Sequence, residues 1–217
     1  MTDVILKSAM QNLNLKKNAR ALVIVAHPDD ETIWLGGVIL KNPQVRWTVF
    51  SLCRASDPDR APKFFRVCKF LKAAGIIADL EDEGRLGLKK SIPEIKKILR
   101  RDLPTKKFHY IFTHGSNGEY GHPRHKSVHL AVKELITEKK IYAEQIFYFN
   151  YEPIGEHQLA PKPDSDFIVK LTAAEFKRKR KIMTDLYGFA PDGIDTGYCT
   201  NLEALKISNF QFSISKQ

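Results

Sequence analysis

The chain has 217 residues and a formal net charge of +10, with 43% hydrophobic and 28% charged residues. This balance is typical of a globular protein and excludes a disordered chain, and the length fits a single domain over residues 1–217. No stretch approaches the roughly 20 apolar residues of a membrane helix, and the N-terminus lacks the apolar segment of a signal peptide. The sequence therefore predicts a cytoplasmic protein without a membrane partner, in which about residues 1–20 are peripheral.

The positive charge raises the question of a nucleic-acid partner. Lysines and arginines are spread over several helix-like segments, including residues 95–107 and 175–181, and no nucleic-acid-binding motif accompanies them. We therefore interpret them as solvated helix faces, while an anionic substrate or partner and homo-oligomer formation stay open. The three cysteines have no framework spacing and are predicted to be buried free thiols, which suits a reducing compartment.

Strand-like and helix-like segments alternate along the first two thirds of the chain. Strands are predicted over residues 21–26, 45–53, 108–113 and 145–151. Helices are predicted over residues 32–41, 61–75, 91–103 and 125–140, the second closed by a Gly stop signal. This alternation favours an α/β fold, a mostly parallel sheet with helices on both faces.

The C-terminal third has a different pattern. The Pro-rich segment 152–166 is predicted to be a loop, and residues 166–171 are predicted to form an edge strand. A helix is predicted over residues 172–189, with Thr172 as its N-cap.

Two clusters of polar residues follow two of the predicted strands. Residues 26–31 read AHPDDE, and residues 113–125 read THGSNGEYGHPRH. Because the carboxyl ends of parallel strands meet at one edge of a sheet, His27 and Asp30 can approach a histidine from the second cluster. No cysteine is expected near either cluster. The alternative is an ordinary helix N-cap in the first cluster and a surface turn in the second.

Two imidazoles and one carboxylate that leave room for water are typical of a catalytic zinc site. Bound Zn²⁺ lowers the pKa of its water from about 15.7 to about 7. Asp29, next to Asp30, is the natural general base. Of His122 and His125, one would bind the metal and the other would act as a general acid or stabilise the oxyanion.

AHPDDE with a downstream GEYGHPRH closely resembles the PIG-L/LmbE-like family of zinc-dependent N-acetylglucosaminyl deacetylases, from about residue 21 to residue 151. The resemblance implies a single Rossmann-like domain that removes acetyl from an N-acetylated amino sugar or a similar amide. It assigns His27, Asp30 and His125 as zinc ligands, Asp29 as general base, His122 as charged acid or oxyanion partner, Tyr120 near the substrate carbonyl, and Arg54 and Asp82 as substrate contacts.

The sequence departs from the family pattern in ways that concern the site. Arg124 stands between the two loop histidines, where the family usually has Asp. Either Glu119 or Glu152 takes that role, or the pH dependence of catalysis differs. Trp34 replaces a usual Gly and is expected to fill core rather than stack on a sugar. The segment before Arg54 is short for the family, so the pocket rim should differ.

Several residues have two possible roles. His129 is predicted to be packed rather than a ligand, and His114 is a weaker candidate for substrate contact. Tyr198, within the turn-rich residues 192–201, belongs either to a lid over the site or to a surface loop. Two other functions stay open: a deacylase of an amide on a nucleotide, lipid or amino acid, and a catalytically impaired basic binding protein. Fe²⁺, Co²⁺ or Mn²⁺ can replace Zn²⁺ in such a site.

Overall fold

The computed structural model of the protein describes residues 13–209. Its strands are β1 (Arg20–Val25), β2 (Arg46–Ser51), β3 (Ala74–Ile77), β4 (Lys107–Thr113), β5 (Tyr142–Phe149), β6 (Tyr151–Gly155), β7 (Gln158–Pro161), β8 (Phe167–Lys170) and β9 (Leu202–Ile207). Its helices are α1 (Asp30–Lys41), α2 (Arg60–Phe70), α3 (Leu88–Asp102), α4 (Pro123–Thr137), α5 (Ala173–Lys181), which continues as a π-helical segment (Ile182–Tyr187), and α6 (Ile194–Gly197).

Among the described residues, seven strands form one sheet in the order β3-β2-β1-β4-β5-β9-β8, and β6 and β7 form a separate hairpin. β1 to β5 are parallel, whereas β9 is antiparallel to β5 and β8. The chain runs outward from β1 to β3 and then returns to β4 beside β1. The strand order therefore reverses between β1 and β4, which is where open α/β sheets bind ligands.

The centre of the sheet is covered on both faces. Ala21, Val23 and Val25 of β1 pack in a core with α1, α2 and the π-helical segment, whereas Leu22 and Ile24 pack in a second core with α3 and α4. Alternate residues of a strand point to opposite faces, so a wholly apolar β1 serves both cores. The predicted α/β fold, with a mostly parallel sheet and helices on both faces, is confirmed.

Four loops begin side by side at the carboxyl edge of the sheet. Val25 at the end of β1 is in register with Ser51 at the end of β2, and Ser51 is in register with Ile77 at the end of β3. On the other side of β1, Ile24 is in register with Thr113 at the end of β4. The loops after β1, β2, β3 and β4 therefore converge on one place.

One predicted helix is too long. The helix predicted over residues 61–75 ends at Phe70, and Ala74–Ile77 is the edge strand β3. Lys72 has a φ of 55°, which turns the chain back toward the sheet. Gly75, taken as a stop signal, lies inside β3, where an added Cβ would come within 2.9 Å of the Cys68 sulfur. A close approach to α2 explains this glycine better than a helix end.

The predicted loop over residues 152–166 is wrong, because most of the β6–β7 hairpin lies within it. β9 also lies outside every predicted strand. The edge strand is confirmed as β8, and Thr172 caps α5 in a capping box with Glu175.

Part of the N-terminal segment packs in the core. Residues 1–12 of the segment predicted to be peripheral lie outside the described residues, whereas Leu13 and Leu15 pack in the first core. The single domain over residues 1–217 stays a prediction. No helix within residues 13–209 is long and apolar enough to span a bilayer.

Candidate active site

Residues 26–31 connect β1 to α1 through a strained turn. Asp29 has a φ of 137° and a ψ of −33°, a conformation that side-chain-bearing residues rarely adopt and that costs about 1–3 kcal/mol. Glu31 accepts the Asp29 N–H at 3.1 Å, and the Asp29 carbonyl accepts the N–H groups of Thr32 and Ile33. Strain of this kind is concentrated at functional sites, where the surrounding contacts maintain it.

The structure brings together the three residues predicted to bind metal. Asp30 Oδ2 lies 3.3 Å from His27 Nδ1, and Asp30 Oδ1 lies 3.4 Å from His125 Nε2. The imidazole centroids of His27 and His125 are 5.5 Å apart. Asp30 also accepts the indole N–H of Trp34 at 2.8 Å. The carboxylate of the first loop thus faces histidines from both loops.

His125 has the orientation of a metal ligand. Its Nδ1 lies 2.6 Å from Glu119 Oε2, so the proton is on Nδ1. Its Nε2 is buried and has no hydrogen-bond partner among the described residues. A buried polar atom without a partner is destabilising by about 1–3 kcal/mol. An imidazole held by a carboxylate at one nitrogen and unpaired at the other fits a metal ligand.

Two overlapping sets of potential metal ligands include His125. His27, His122 and His125 form one set, and Asp30, His114 and His125 form the other. Within each set the ligand atoms lie within 4.8 Å of one another. Imidazole nitrogens and a carboxylate oxygen suit Zn²⁺ and also Fe²⁺, Co²⁺ or Mn²⁺. His125 is common to both sets, and the nitrogen and oxygen donors around it are of the kind that holds a divalent ion.

The expectation that no cysteine lies near the site is wrong. The Cys53 sulfur lies within 4.8 Å of ligand atoms of His27 and Asp82. Cys53 follows β2, and the carboxyl end of β2 adjoins that of β1. Burial, with a contribution from Asp82, raises the pKa of the Cys53 thiol. A thiol in this environment is protonated near neutral pH unless a metal ion displaces its proton.

A buried network behind His125 was not predicted. Glu119 is fully buried and accepts hydrogen bonds from His125, from His114 at 2.9 Å and from the Gly115 N–H at 2.7 Å. Burial raises the pKa of Glu119, but His114 and His125 outweigh that effect and bring it to about 2. His114 Nε2 accepts the Ala26 N–H at 3.0 Å. His114 thus binds protein groups and is not free for substrate.

The predicted packed role of His129 agrees with its contacts. Its Nδ1 lies 3.0 Å from the His114 carbonyl oxygen, and it belongs to none of the ligand sets found in residues 13–209.

His122 occupies the N-cap position of α4. Its Nδ1 accepts the Arg124 N–H at 3.3 Å, so a neutral ring carries its proton on Nε2. Its centroid lies 4.9 Å from that of His27 and 4.6 Å from that of His125. Burial, then His125 and His27, lower the pKa of His122 to about 4. These contacts favour a neutral hydrogen-bond donor over a charged acid.

No hydrogen bond or ion pair within the described part of the chain joins Glu119 or Glu152 to His122. Glu119 is committed to His114 and His125, and Glu152 lies on β6. Neither carboxylate takes the place of the missing Asp beside His122.

Arg60 is a site residue that the sequence did not reveal. Its Nη1 lies 2.8 Å from Asp29 Oδ2 and 3.1 Å from the Pro28 carbonyl oxygen, and its guanidinium lies 4.6 Å from the Phe189 ring centroid. Burial and Asp30 raise the pKa of Asp29, and Arg60 opposes that shift. Arg60 begins α2 with no motif around it, so nothing in the sequence links it to Asp29.

A cavity of about 300 Å³ adjoins these groups. The predicted contact residues Arg54, Asp82 and Tyr120 all line it. Asp82 Oδ1 lies 3.0 Å from His27 Nε2, and Asp82 Oδ2 lies 3.2 Å from Arg54 Nη2. Asp82 therefore contacts a predicted metal ligand directly, a role that the sequence did not suggest.

The turn-rich segment near the C-terminus contributes to the same cavity. Asp195 and Tyr198 line it, and the Tyr198 ring stacks on Tyr120 with centroids 4.6 Å apart and planes 10° apart. Within residues 13–209 the Asp195 carboxylate accepts no hydrogen bond, although Arg60 is close enough to affect its pKa. Trp34 is fully buried, as expected of a core residue, and its N–H holds Asp30.

Residues 22–136 match the PIG-L family, described as GlcNAc-PI de-N-acetylase. The chain belongs to this family. The matched region runs from β1 to α4 and contains both histidine-bearing loops, so the resemblance seen in AHPDDE and GHPRH is confirmed. Family membership supports an enzyme that hydrolyses N-acetyl amides.

Protein L374 of Acanthamoeba polyphaga mimivirus is 26% identical over 160 residues, which are 66% of this chain and 68% of that protein. N,N′-diacetylchitobiose deacetylase from Pyrococcus horikoshii has a TM-score of 0.63 at 15% identity, over 94% of this chain and 88% of that one. The 4-carboxy-2-hydroxymuconate hydratase from Pseudomonas putida has a TM-score of 0.62 at 14% identity, over 92% and 100%. These two structures show the shared fold, and their different activities show that the fold alone does not determine the reaction.

Proposed function

We propose that the protein is a divalent-metal-dependent N-deacetylase that hydrolyses the acetamide of an N-acetylated amino sugar or sugar conjugate. The observation that carries this proposal is the unpaired, buried Nε2 of His125 beside His27 and Asp30. Membership of the PIG-L family supports the class of reaction.

His27, Asp30 and His125 would hold the ion, with Zn²⁺ as the proposed metal. When bound, such an ion supplies a Lewis acid that polarises a carbonyl and lowers the pKa of water toward neutrality. Glu119 keeps the proton of His125 on Nδ1 and so leaves Nε2 as the ligand atom.

Asp29 is the proposed general base. Arg60 holds Asp29 Oδ2 at 2.8 Å, so this oxygen is fixed while the other is left to accept a proton. Asp29 takes a proton from the attacking water and returns it to the amide nitrogen as the C–N bond breaks. The products are acetic acid and the amine, the acid then passes its proton to the amine or to solvent to give acetate, and Asp29 returns to its starting state.

His122 and Tyr120 would act on the carbonyl oxygen. The arrangement at the N-cap of α4 leaves His122 Nε2–H as a donor. A fixed donor aimed at the developing oxyanion lowers the barrier by about 2.7–4 kcal/mol. The Tyr120 hydroxyl lines the same cavity and is proposed to assist.

The cavity supports a small polar substrate. Arg54 and Asp195 offer a donor and an acceptor for hydroxyl groups, and Tyr198 offers an aromatic surface at the rim. The three buried free thiols support the predicted reducing, cytoplasmic compartment. Homo-oligomer formation stays a prediction.

The test uses the full chain, stripped of metal by a chelator and reloaded in parallel with Zn²⁺, Fe²⁺, Co²⁺ or Mn²⁺. Acetate release is measured with N-acetylglucosamine, N,N′-diacetylchitobiose and N-acetylated amino acids. We expect the reloaded protein to release acetate from the sugars and the metal-depleted protein to release none. The Asp29→Asn variant should retain the metal but release no acetate. Metal-independent release would contradict the proposal. Failure on every amide, with hydration of an unsaturated dicarboxylic acid, would favour a hydratase.

A further inference from the structure

Arg124 lies buried between α4 and the loop that follows β3. Its guanidinium donates to the Ser91 hydroxyl and to the main-chain carbonyls of Glu81 and Leu86. Its Nε has no hydrogen-bond partner in the described part of the chain and lies 3.7 Å from Asp82 Oδ1. One side chain of α4 therefore contacts residues 81, 82 and 86 of this loop.

The start of the loop is also fixed to residues 51–56, by main-chain hydrogen bonds of Ala78 and Leu80 and by Asp79, which accepts hydrogen bonds from Ser56. The remaining side-chain hydrogen bonds to its main chain come from Glu81, which accepts three of its N–H groups, and from Ser91 just after it. Both are close in sequence to the loop and do not attach it to the opposite side of the site. Arg124 supplies that attachment, from a position between the two histidines of the second motif.

The loop carries Asp82, which faces His27. The Asp82 carboxylate accepts a hydrogen bond from His27 Nε2, which leaves Nδ1 as the ring nitrogen beside Asp30. Asp82 thus does for His27 what Glu119 does for His125. Arg54 also contacts Asp82, but its side chain is 46% exposed, whereas that of Arg124 is 6% exposed. Arg124 is therefore the more buried of the two cations beside Asp82, and it acts on Asp82 through the loop main chain, to which its guanidinium donates.

We propose that Arg124 is a positioning residue that holds Asp82 against His27 and thereby raises the affinity of the site for its ion. The proposal rests on the proposed function only in requiring that His27 bind a divalent ion. It also gives the unusual arginine of this chain a role distinct from that of the carboxylate usual in the family.

The test is a double-mutant cycle of Arg124→Met, Asp82→Asn and the combined variant. Zn²⁺ affinity of the folded proteins is measured by competition with a chromophoric chelator. Each single change should weaken binding by about 10–100-fold, the usual effect of losing a partner of a metal-bound histidine. The combined variant should bind no more weakly than the weaker single variant, because both act through one contact. The proposal would be overturned if the loss of affinity in the combined variant equalled the product of the two single losses. Unchanged affinity in Arg124→Met would overturn it as well.

Trypsin cleavage after Arg85, inside the loop, provides a second readout. Arg124→Met should speed this cleavage, whereas Asp82→Asn should not. Lys106→Met is the matched control, since Lys106 is another cation that donates to main-chain carbonyls, three of them, at the far end of α3. It should leave both affinity and cleavage unchanged.

If Arg124→Met does not fold, Arg124→Lys replaces it, because lysine keeps the charge but loses the planar fork of donors. We expect intermediate affinity and faster cleavage, and wild-type values in both would overturn the proposal. Wild-type protein that binds no Zn²⁺ would instead contradict the proposed function, so the two failures are distinguishable.

Discussion

The two histidine-bearing loops orient their proposed ligands in different ways. His125 is held by Glu119, six residues earlier in the same loop and fully buried. His27 is held by Asp82, which lies 55 residues away on another loop. The Asp82 side chain is 13% exposed. One half of the site is therefore organised by local sequence, and the other depends on tertiary contacts through Arg124. Substitutions around His125 should therefore reduce metal binding and stability more than substitutions around His27.

The largest effect is expected for His125→Ala. Removing the unpaired Nε2 takes away the ligand that contacts Asp30 from the second loop, so the ion should be lost and acetate release should fall to that of metal-depleted protein. Metal content by atomic emission, together with acetate release, checks this. Stoichiometric zinc in the variant would show that His125 is not a ligand.

The next largest effects are expected for two isosteric substitutions, one beside His125 and one beside His27. Glu119→Gln should weaken metal binding by about 100-fold and Asp82→Asn by about 10-fold, the two ends of the usual range. Only the first should also lower the free energy of unfolding, by about 1–3 kcal/mol, because Glu119 is a buried acceptor for His114, His125 and Gly115. Chelator competition measures the metal affinity and urea unfolding measures the stability of each variant. Equal losses in the two variants would contradict the difference between the two loops.

The sequence predicts the site residues that follow strands, but it does not predict those that reach the site through tertiary packing. The sequence groups His27, Asp30 and His125 because each lies within twelve residues of the end of an apolar strand, and parallel strands end at one edge. Arg60 and Asp195 carry no such signal, since they reach the cavity only through the packing of α2 and α6. The family resemblance assigns Asp82 as a substrate contact, and its approach to His27 is not predictable because it depends on a loop conformation that no spacing encodes.

The dependence on tertiary contacts also explains which strands the sequence predicts and which it does not. β1, β2 and β4 are apolar because both faces of the central sheet are covered, so composition alone indicates them. β6, β7 and β9 are stabilised by antiparallel partners, and their mixed sequences have no comparable pattern. The four-residue β3 is shorter than any window in which periodicity can be recognised.

His122→Ala should separate catalysis from metal binding. The ion should be retained, and kcat should fall by about 10²–10³-fold because one oxyanion donor is lost. Steady-state kinetics on zinc-loaded protein measure this. Because His122 also offers a nitrogen near His27 and His125, loss of zinc would instead place it among the ligands and make the second loop still more dominant.

The smallest effect is expected at the rim. Tyr198→Ala removes a ring that stacks on Tyr120, an interaction of about 0.5–1.5 kcal/mol. KM should rise by roughly 2–10-fold with little change in kcat, and Tyr198→Phe, which keeps the ring, should be near wild type. A fall in kcat alone would show that Tyr198 acts on the reacting groups through Tyr120.

The most direct test of a single ion shared by both loops is anomalous scattering at the zinc edge from crystals of the zinc-loaded protein. We expect one peak, about 2.0–2.2 Å from a ring nitrogen of His27, a carboxylate oxygen of Asp30 and Nε2 of His125. A peak bound by Cys53 and Asp82 with His125 unligated, or no peak between the loops, would contradict it.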